Sequence, residues 1–262
     1  MSQALKPAPD DRIIRTHMAH ELAPPLGHRA RIGLLVLASD STIEYEWRRI
    51  MDLDGVAFYQ SRLFNSPTIT PETLAAMAGE IGTATDLLLP GIDFDVIAYG
   101  CTSGAMTIGE DRVFELIREK RPGVACTTPI TGALAGLHAL GAKRIALLTP
   151  YAESVNEMMR AYIEARGIGV PVSGSFSEEN DNRASRIAPR SIHDAALELG
   201  RHDNVDAVFV SCTSLRLNDI VEATEAALGK PVLSSNLAIA WHALRLAGID
   251  DTIPGRGRLF TV

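Results

Sequence analysis

The chain has 262 residues, of which 46% are hydrophobic, 22% charged and 5% aromatic, and its formal net charge is −7. This length and composition are typical of an aliphatic-rich globular protein that buries a core without disulfides or metals, and they exclude disordered and fibrous classes. The negative charge argues against nucleic acid or an anionic membrane as the main partner, because both reward basic surfaces.

Membrane spans and export signals are not apparent in the sequence. No stretch approaches the roughly 18 consecutive apolar residues of a membrane span, and residues 1–28 lack the apolar core of a signal peptide. We therefore expect a cytoplasmic protein. The odd number of cysteines and the absence of a CxxC pattern indicate that Cys101, Cys126 and Cys212 are free thiols.

The predicted elements alternate along the chain. Residues 1–30 combine prolines and charges without sustained periodicity, which predicts an N-terminal arm or an oligomer-wrapping tail. Short aliphatic runs then predict buried strands at 31–37, 56–59, 95–99, 144–148, 207–210 and 231–233. Amphipathic stretches predict helices at 71–89, 112–120, 130–140, 154–166, 191–199, 218–228 and 236–247. This alternation predicts an α/β fold with parallel sheets flanked by helices.

An internal repeat organises these elements. Residues 94–103, FDVIAYGCTS, are similar to residues 205–214, VDAVFVSCTS, and two further segment pairs follow in the same order with a shift of about 110 residues. The repeat predicts two duplicated α/β lobes related by a pseudo-two-fold axis, at 31–128 and 129–240. We expect residues 241–262 to return to the first lobe.

Each half of the repeat carries a Cys-Thr-Ser tripeptide just after a buried strand and before a helix. Ligands bind at this edge of open α/β sheets, and hydroxyls with first-turn N–H groups favour an anion and a reactive thiol. A single cysteine in such a place is more often a small buried hydrophobe, and we assign that role to Cys126, whose aligned residue is Leu233. The duplicated tripeptides instead predict two functional thiols, Cys101 and Cys212, facing one small-carboxylate site.

Several segments together resemble the aspartate/glutamate racemase superfamily over nearly all of residues 31–253. The segments lie at 32–36, 39–44, 100–104, 148–151, 181–182, 211–214 and 234–242. The resemblance is greatest to the branch of the maleate isomerases and arylmalonate decarboxylases, with which ectoine-utilization proteins are grouped. It implies an active site between the lobes, no cofactor and Cys101 and Cys212 as catalytic thiols. Substrate-binding residues implied by the same resemblance are Asp40, Thr102, Ser103, Tyr151, Asn182, Thr213 and Ser214.

Two positions bear on the reaction. Arylmalonate decarboxylases have a glycine where this chain has Cys101, so the presence of both thiols favours an isomerase or racemase. Maleate isomerases typically have an asparagine where this chain has Asp40, and a carboxylate there would repel a dicarboxylate unless it were protonated or turned away. The ectoine-utilization proteins are more tolerant of Asp at this position.

Other function classes have little support in the sequence. Dinucleotide-binding, Walker A and metalloprotease motifs are absent, which predicts activity without metal, nucleotide, flavin or pyridoxal phosphate. The resulting hypothesis is a two-cysteine isomerase acting on a small carboxylate, most like a maleate cis–trans isomerase. The alternatives are an amino-acid racemase, an ectoine-utilization enzyme and a non-enzymatic carboxylate-binding protein. We also expect a homo-oligomer, with no nucleic acid or membrane as partner.

Overall fold

The structure of the protein is a computed structural model that describes residues 13, 15–178 and 180–262. The predicted arm therefore falls partly outside the described residues. Within them, residues 15–26 are exposed and form neither helix nor strand. No described helix is long and apolar enough to cross a membrane.

Two parallel four-stranded sheets form the centre of the described molecule. The first has the order β2-β1-β3-β4, and its strands are β1 (Ala30–Leu37), β2 (Val56–Leu63), β3 (Val96–Tyr99) and β4 (Ala125–Thr127). The second has the equivalent order β6-β5-β7-β8, and its strands are β5 (Arg144–Thr149), β6 (Gly169–Ser175), β7 (Ala207–Val210) and β8 (Val232–Ser234). The identical order in the two sheets agrees with the duplication inferred from the repeat.

Helices connect the strands and cover the sheets, as parallel strands require. In the first half they are α1 (Ile43–Ile50), α2 (Pro71–Ala76), α3 (Ala78–Asp86), α4 (Thr102–Ile108), α5 (Glu110–Arg118) and α6 (Pro129–Ala139). In the second half they are α7 (Glu153–Glu164), α8 (Asp181–Ala184), α9 (Pro189–Gly200), α10 (Val221–Leu228) and α11 (Ser235–Leu246). A final 3₁₀ helix spans Arg258–Thr261.

The central strands consist of apolar runs because both faces of each sheet are covered. All four residues of β3 and of β7 are buried, and so are seven of the eight residues of β1. At about 25 cal/mol per Å² of apolar surface removed from water, this burial is the main favourable contribution to folding. The strands thereby become rigid supports for the loops at their carboxyl ends.

The halves meet along α6 and α11, which occupy equivalent positions in the repeat. The approach is close at Gly132, where a Cβ would lie 2.5 Å from the Ala238 carbonyl oxygen. Beyond α11, Asp251 forms an ion pair with Arg29 at 2.6 Å, and Arg256 donates to the Arg49 carbonyl at 2.9 Å. The exact lobe boundaries stay a prediction, but these contacts tie the end of the chain to its first half.

All the predicted strands and helices have counterparts in the structure, and several elements are additional. The prediction omitted β4, β6, α1, α4 and α8. Strand β4 has only three residues, and β6 is an edge strand with Pro171 and alternating exposure, so neither shows a sustained apolar run. The predicted helix 71–89 is divided at Met77 into α2 and α3.

Candidate active site

The Cys101 thiol lies at the junction of β3 and α4. Cys101 has extended backbone angles and serves as the N-cap of α4, with its Sγ accepting a hydrogen bond from the Gly104 N–H at 3.3 Å. Its side chain is 5% exposed. A Cβ on Gly104 would lie 2.9 Å from this sulfur, so the absence of a side chain at 104 leaves room for the thiol.

The Cys212 thiol lies at the equivalent junction after β7. Its Sγ accepts from the Ser214 N–H at 3.4 Å, and its side chain is 3% exposed. The expectation that a helix follows closely holds only for Cys101, because α10 begins at Val221 and a loop intervenes after Cys212. Glu46 of α1 holds this loop by accepting the N–H groups of Leu217 and Asn218, each at 2.8 Å.

One cavity brings the two junctions together. Its empty volume is about 360 Å³, part of which is open to solvent. The two thiols line it together with polar and apolar side chains from both halves of the chain. The lining residues that matter below are Asn65, Met77, Cys101, Thr102, Ser103, Tyr151, Asp181, Cys212 and Thr213. The structure thus places Cys101 and Cys212 at one site.

A hydroxyl pair links the backbones that carry the thiols. Thr102 Oγ1 lies 2.8 Å from Ser235 Oγ, and the Ser235 hydroxyl in turn accepts from the Cys212 N–H at 3.1 Å. All three groups are buried. Thr102 therefore has a structural contact in addition to its place in the cavity lining. Through these hydrogen bonds the two Cys-Thr-Ser segments are fixed relative to each other.

Both thiols have raised pKa values. Burial raises the pKa of Cys101 to about 12, opposed by the hydrogen bond from Gly104 N–H. Burial likewise raises the pKa of Cys212 to about 12, and the charge of Asp181 raises it further. The Tyr151 hydroxyl lies against the Cys212 thiol and lowers the Cys212 pKa by hydrogen bonding. Both cysteines are therefore neutral thiols in the ligand-free site at pH 7.

Two carboxyls approach the sulfurs. Asp181 lines the cavity, is 7% exposed, and accepts from the Ser39 hydroxyl at 3.0 Å. Asp40 is 3% exposed, and its Oδ1 accepts the N–H groups of Thr42 at 2.7 Å and Ile43 at 2.9 Å. Burial raises the pKa of Asp181 to about 6 and also raises that of Asp40.

The predicted binding residues occupy different places. Ser103 and Thr213 line the cavity, and Ser103 Oγ is 3.9 Å from Cys101 Sγ. Ser214 and Asp40 are buried and do not line the cavity. The structure corrects the expectation for Asn182. That side chain is exposed, because Asn180 caps α8 and turns Asp181, not Asn182, inward.

Two residues of the cavity, and a third that supports it, were not predicted. Asp181 adjoins the predicted Asn182, so the sequence signal was one position away. Asn65 follows β2 and contacts Ser39 twice, with Oδ1 accepting from the Ser39 N–H at 3.0 Å and Nδ2 donating to its hydroxyl at 2.8 Å. Glu46 lies on α1, which the prediction omitted. Only the apolar positions at 43, 47 and 50 signalled that its helix packs inward.

Cys126 lies apart from this cavity. It is 7% exposed, and its Sγ contacts the Val124 carbonyl at 3.6 Å. Among the described residues, no group of three or more His, Cys, Asp or Glu side chains could hold a metal ion. The polar groups that line the cavity include the two thiols, several hydroxyls and the Asp181 carboxyl.

Similarity to known proteins agrees with this geometry. A family model described as arylmalonate decarboxylase matches residues 53–260 of the chain. The chain belongs to the arylmalonate decarboxylase family. The predicted branch of the racemase superfamily is thereby confirmed, and this family member is an enzyme.

Relatives in this family include maleate isomerases. One from Nocardia farcinica (strain IFM 10152) is 32% identical over 239 residues, covering 87% of this chain and 94% of that protein. An arylmalonate decarboxylase from Bordetella bronchiseptica is 34% identical over 140 residues, covering 53% of this chain and 58% of that protein.

A solved structure of the Nocardia farcinica maleate cis-trans isomerase has the same fold. It is a cysteine-to-serine mutant with a covalently bound succinylcysteine intermediate, and it matches with a TM-score of 0.80 and 28% identity. The match covers 88% of this chain and 98% of that chain. The predicted fold class is confirmed.

Proposed function

We propose that this family member is a cofactor-independent cis–trans isomerase of a small unsaturated carboxylate, of the maleate isomerase type, with Cys101 and Cys212 as its catalytic residues. The observation that carries the proposal is the convergence of both thiols on one cavity from equivalent strand ends. The covalent cysteine intermediate of the Nocardia isomerase supports the same chemistry.

The reaction follows from the two thiols. Cys101 loses its proton to solvent as the substrate enters, and its electron pair forms a C–S bond to one alkene carbon. The π electrons move to the neighbouring carbon and its carboxylate, and Cys212 donates its proton to that carbon. Rotation about the new single bond is followed by return of the proton to Cys212 and expulsion of the Cys101 thiolate. The trans alkene leaves with no net change in atoms or charge.

Polar groups at the cavity suit the charge that develops. The addition step places negative charge on a substrate carboxylate, and donors aimed at that position stabilise the transition state. Ser103, Tyr151 and Thr213 supply hydroxyls in the cavity lining. We infer that one substrate carboxylate lies against these hydroxyls, between the sulfurs.

Racemisation is the second candidate, because two thiols that reach one carbon from opposite faces could also remove and return an α-proton. Proton NMR in deuterated water separates the two reactions. Isomerisation converts maleate or a related cis-enoic acid into its trans isomer, whereas racemisation of aspartate exchanges the α-proton without a new alkene. No turnover of any small cis-enoic acid by folded enzyme would contradict the isomerase proposal.

Assembly and location are further parts of the proposal. The exposed residues 15–26 support a homo-oligomer in which this segment lies against a second subunit. The cytoplasm remains the compartment that we propose. Sedimentation of the full chain and of a variant lacking residues 1–26 tests the first point, since the shortened chain is expected to dissociate more readily.

A further inference from the structure

The charge of the cavity is unusual for a site that receives an anion. Within the described residues, its lining contains no Lys, Arg or His side chain. It does contain the Asp181 carboxyl, and the Asp40 carboxyl lies close enough to act electrostatically on Asp181 and on both sulfurs. A dicarboxylate that enters this cavity meets the Asp181 carboxyl, with the Asp40 carboxyl buried nearby, and no basic side chain in the described lining.

Asp40 has an oxygen without a partner. The N–H groups of Thr42 and Ile43 hold its Oδ1 in a cap at the start of α1. Its Oδ2 is buried and makes no hydrogen bond of normal geometry with any described residue, although the Thr213 side chain lies beside the carboxyl. Because Asp40 does not line the cavity, its incompletely hydrogen-bonded carboxyl acts on a ligand there through its charge.

The nearby Arg62 does not neutralise Asp40. Its guanidinium donates to the carbonyl oxygens of Leu37 and Asp40 at 3.0 Å each, and it forms an ion pair with Glu44 at 3.0 Å. The Arg62 guanidinium is thus paired with the Glu44 carboxylate of α1. The Asp40 carboxyl therefore has backbone donors on Oδ1 and the Thr213 side chain beside it, but no ion pair among the described residues.

We propose that Asp40 and Asp181 select a substrate that has one carboxylate and, at its other end, a group with N–H hydrogens, such as a primary amide or an ammonium, in place of a second carboxylate. This inference rests on the proposed function. The single carboxylate lies against the hydroxyls of Ser103, Tyr151 and Thr213. The N–H group donates to Asp181, which lines the cavity, and the buried Asp40 carboxyl acts on it through its charge.

The chemistry of the thiols favours the same selection. The charges of Asp181 and Asp40 both raise the pKa of Cys101 and of Cys212. An N–H donor bound to Asp181 offsets the negative potential of both carboxyls and eases formation of the Cys101 thiolate. A second carboxylate would add to that potential and oppose the first step of the reaction.

Maleate and its half-amide, maleamate, form a matched pair of probes with the same alkene and nearly the same shape. Binding to wild-type enzyme is measured by calorimetry at pH 7.5, and formation of fumarate or fumaramate by proton NMR. We expect maleamate to bind about tenfold or more tightly than maleate, as for one charge-assisted hydrogen bond. A cis-enoic acid with a terminal ammonium, (Z)-4-aminobut-2-enoate, tests the charged form of the donor.

Two variants assign the selection to these residues. Asp40→Asn keeps an oxygen for the cap of α1 and replaces Oδ2 by a donor, and Asp181→Asn makes the same exchange in the cavity. Each is expected to lower the ratio of the maleamate affinity to the maleate affinity at least tenfold. Asp52→Asn, at an exposed position after α1, is the matched control and is expected to leave the ratio unchanged.

Binding and product formation are measured separately, so failure of the proposed selection can be distinguished from failure of the proposed function. Equal or tighter binding of maleate by wild-type enzyme, with a ratio that neither variant changes, overturns the selection even if both compounds are isomerised. Tight, Asp-dependent binding of maleamate without any trans product supports the selection and overturns the proposed function. Tighter binding with trans product supports both.

Discussion

Glu46 on α1 accepts a 2.7 Å hydrogen bond from the side-chain amide of Asn236 on α11, and the same amide donates to the Thr213 carbonyl at 2.9 Å. The carboxylate also holds the N–H groups of Leu217 and Asn218. A single buried side chain therefore fixes the loop that carries Cys212 from both ends. Glu46 touches no part of the cavity, so we regard it as a positioning residue.

Replacing Glu46 with Gln is expected to lower kcat about tenfold with little change in KM. The amide group of Gln turns one of the accepted hydrogen bonds into a contact between two donors, which loosens the Cys212 loop but leaves the hydroxyls that bind substrate. Steady-state kinetics gives the two constants. Glu198→Gln, at an exposed position, is the control, and an unchanged kcat in Glu46→Gln would contradict the role.

Glu46 also makes stability depend on pH. Burial raises its pKa from 4.5 to about 7, so the folded state binds the proton more tightly than the unfolded state. The stabilising effect of protonation is complete below pH 4.5 and is lost as the pH rises to about 7, which amounts to about 3 kcal/mol. Urea unfolding across this range is expected to show a smaller decline for Glu46→Gln than for wild type. Parallel curves for the two proteins would refute this assignment.

The three cysteines are expected to differ in function. Cys101→Ser and Cys212→Ser should each reduce turnover about a thousandfold or more, because serine has a far higher pKa and is a weaker nucleophile and base. Cys126→Ser should keep wild-type kinetics and lose at most about 1–2 kcal/mol of stability. Mass spectrometry of Cys212→Ser with substrate is expected to show an adduct on the Cys101 peptide. Normal activity in either of the first two variants would exclude the two-thiol mechanism.

Removal of the Tyr151 hydroxyl tests the other contact of Cys212. Tyr151 is 3% exposed, and its hydroxyl interacts with the Cys212 thiol on one side of the cavity. Loss of a hydrogen bond to a charged group costs about 1.5–3 kcal/mol, so Tyr151→Phe should reduce kcat/KM about ten- to a hundredfold. Tyr162→Phe on α7, whose hydroxyl donates to Glu110 outside the cavity lining, serves as the control. A wild-type value in Tyr151→Phe would show that the hydroxyl serves neither substrate nor thiol.

Asp181 is expected to govern the acid limb of the pH profile with the half-amide as substrate. Its pKa of about 6 means that the carboxylate accepts an N–H group above pH 6 and loses this ability as it becomes protonated below pH 6. We therefore expect kcat/KM for maleamate to fall as the pH decreases through 6. Glu46 and the substrate carboxylate still titrate in Asp181→Asn, so a fall of the same size in that variant would assign the limb elsewhere.

The packing of α6 on α11 leaves no room for a side chain at Gly132. A Cβ there would meet the backbone of Ala238, which cannot move without displacing the helix. Gly132→Ala is expected to lose about 1–3 kcal/mol, measured by chemical denaturation. Gly79→Ala provides the contrast, since its Cβ would meet open space in an exposed helix and should be neutral or stabilising. Equal stability of the two variants would argue against this packing.

Much of the fold could be predicted because the internal repeat contains two copies of the sequence pattern for most elements. Strands β3 and β7 are both four-residue apolar runs followed by Cys-Thr-Ser, so both sheet centres and both thiols were apparent. Edge strand β6 and short strand β4 lack such a signal. Comparison with their repeat partners β2 and β8 could have located them.

The polar network around the thiols could not be predicted from local sequence. Asp181 faces the cavity because Asn180 caps a short helix, and Glu46 finds its donors 171 residues along the chain at Leu217. These contacts depend on how two lobes meet, and residue spacing does not encode that relationship. The inward turn of Asp181 and the outward turn of Asn182 differ by one helical position, which lies within the usual error of an assigned helix start.

The burial of both sulfurs has a consequence for the chemical durability of the protein. Because burial raises both pKa values to about 12, very little of either thiol is ionised at pH 7, and peroxides and alkylating reagents react with the thiolate. The resting enzyme is therefore expected to withstand oxidants and iodoacetamide that modify ordinary exposed cysteines. A covalent inhibitor of this enzyme has to resemble the substrate closely enough to enter the cavity. Once bound, it also has to promote ionisation of the thiol that it modifies.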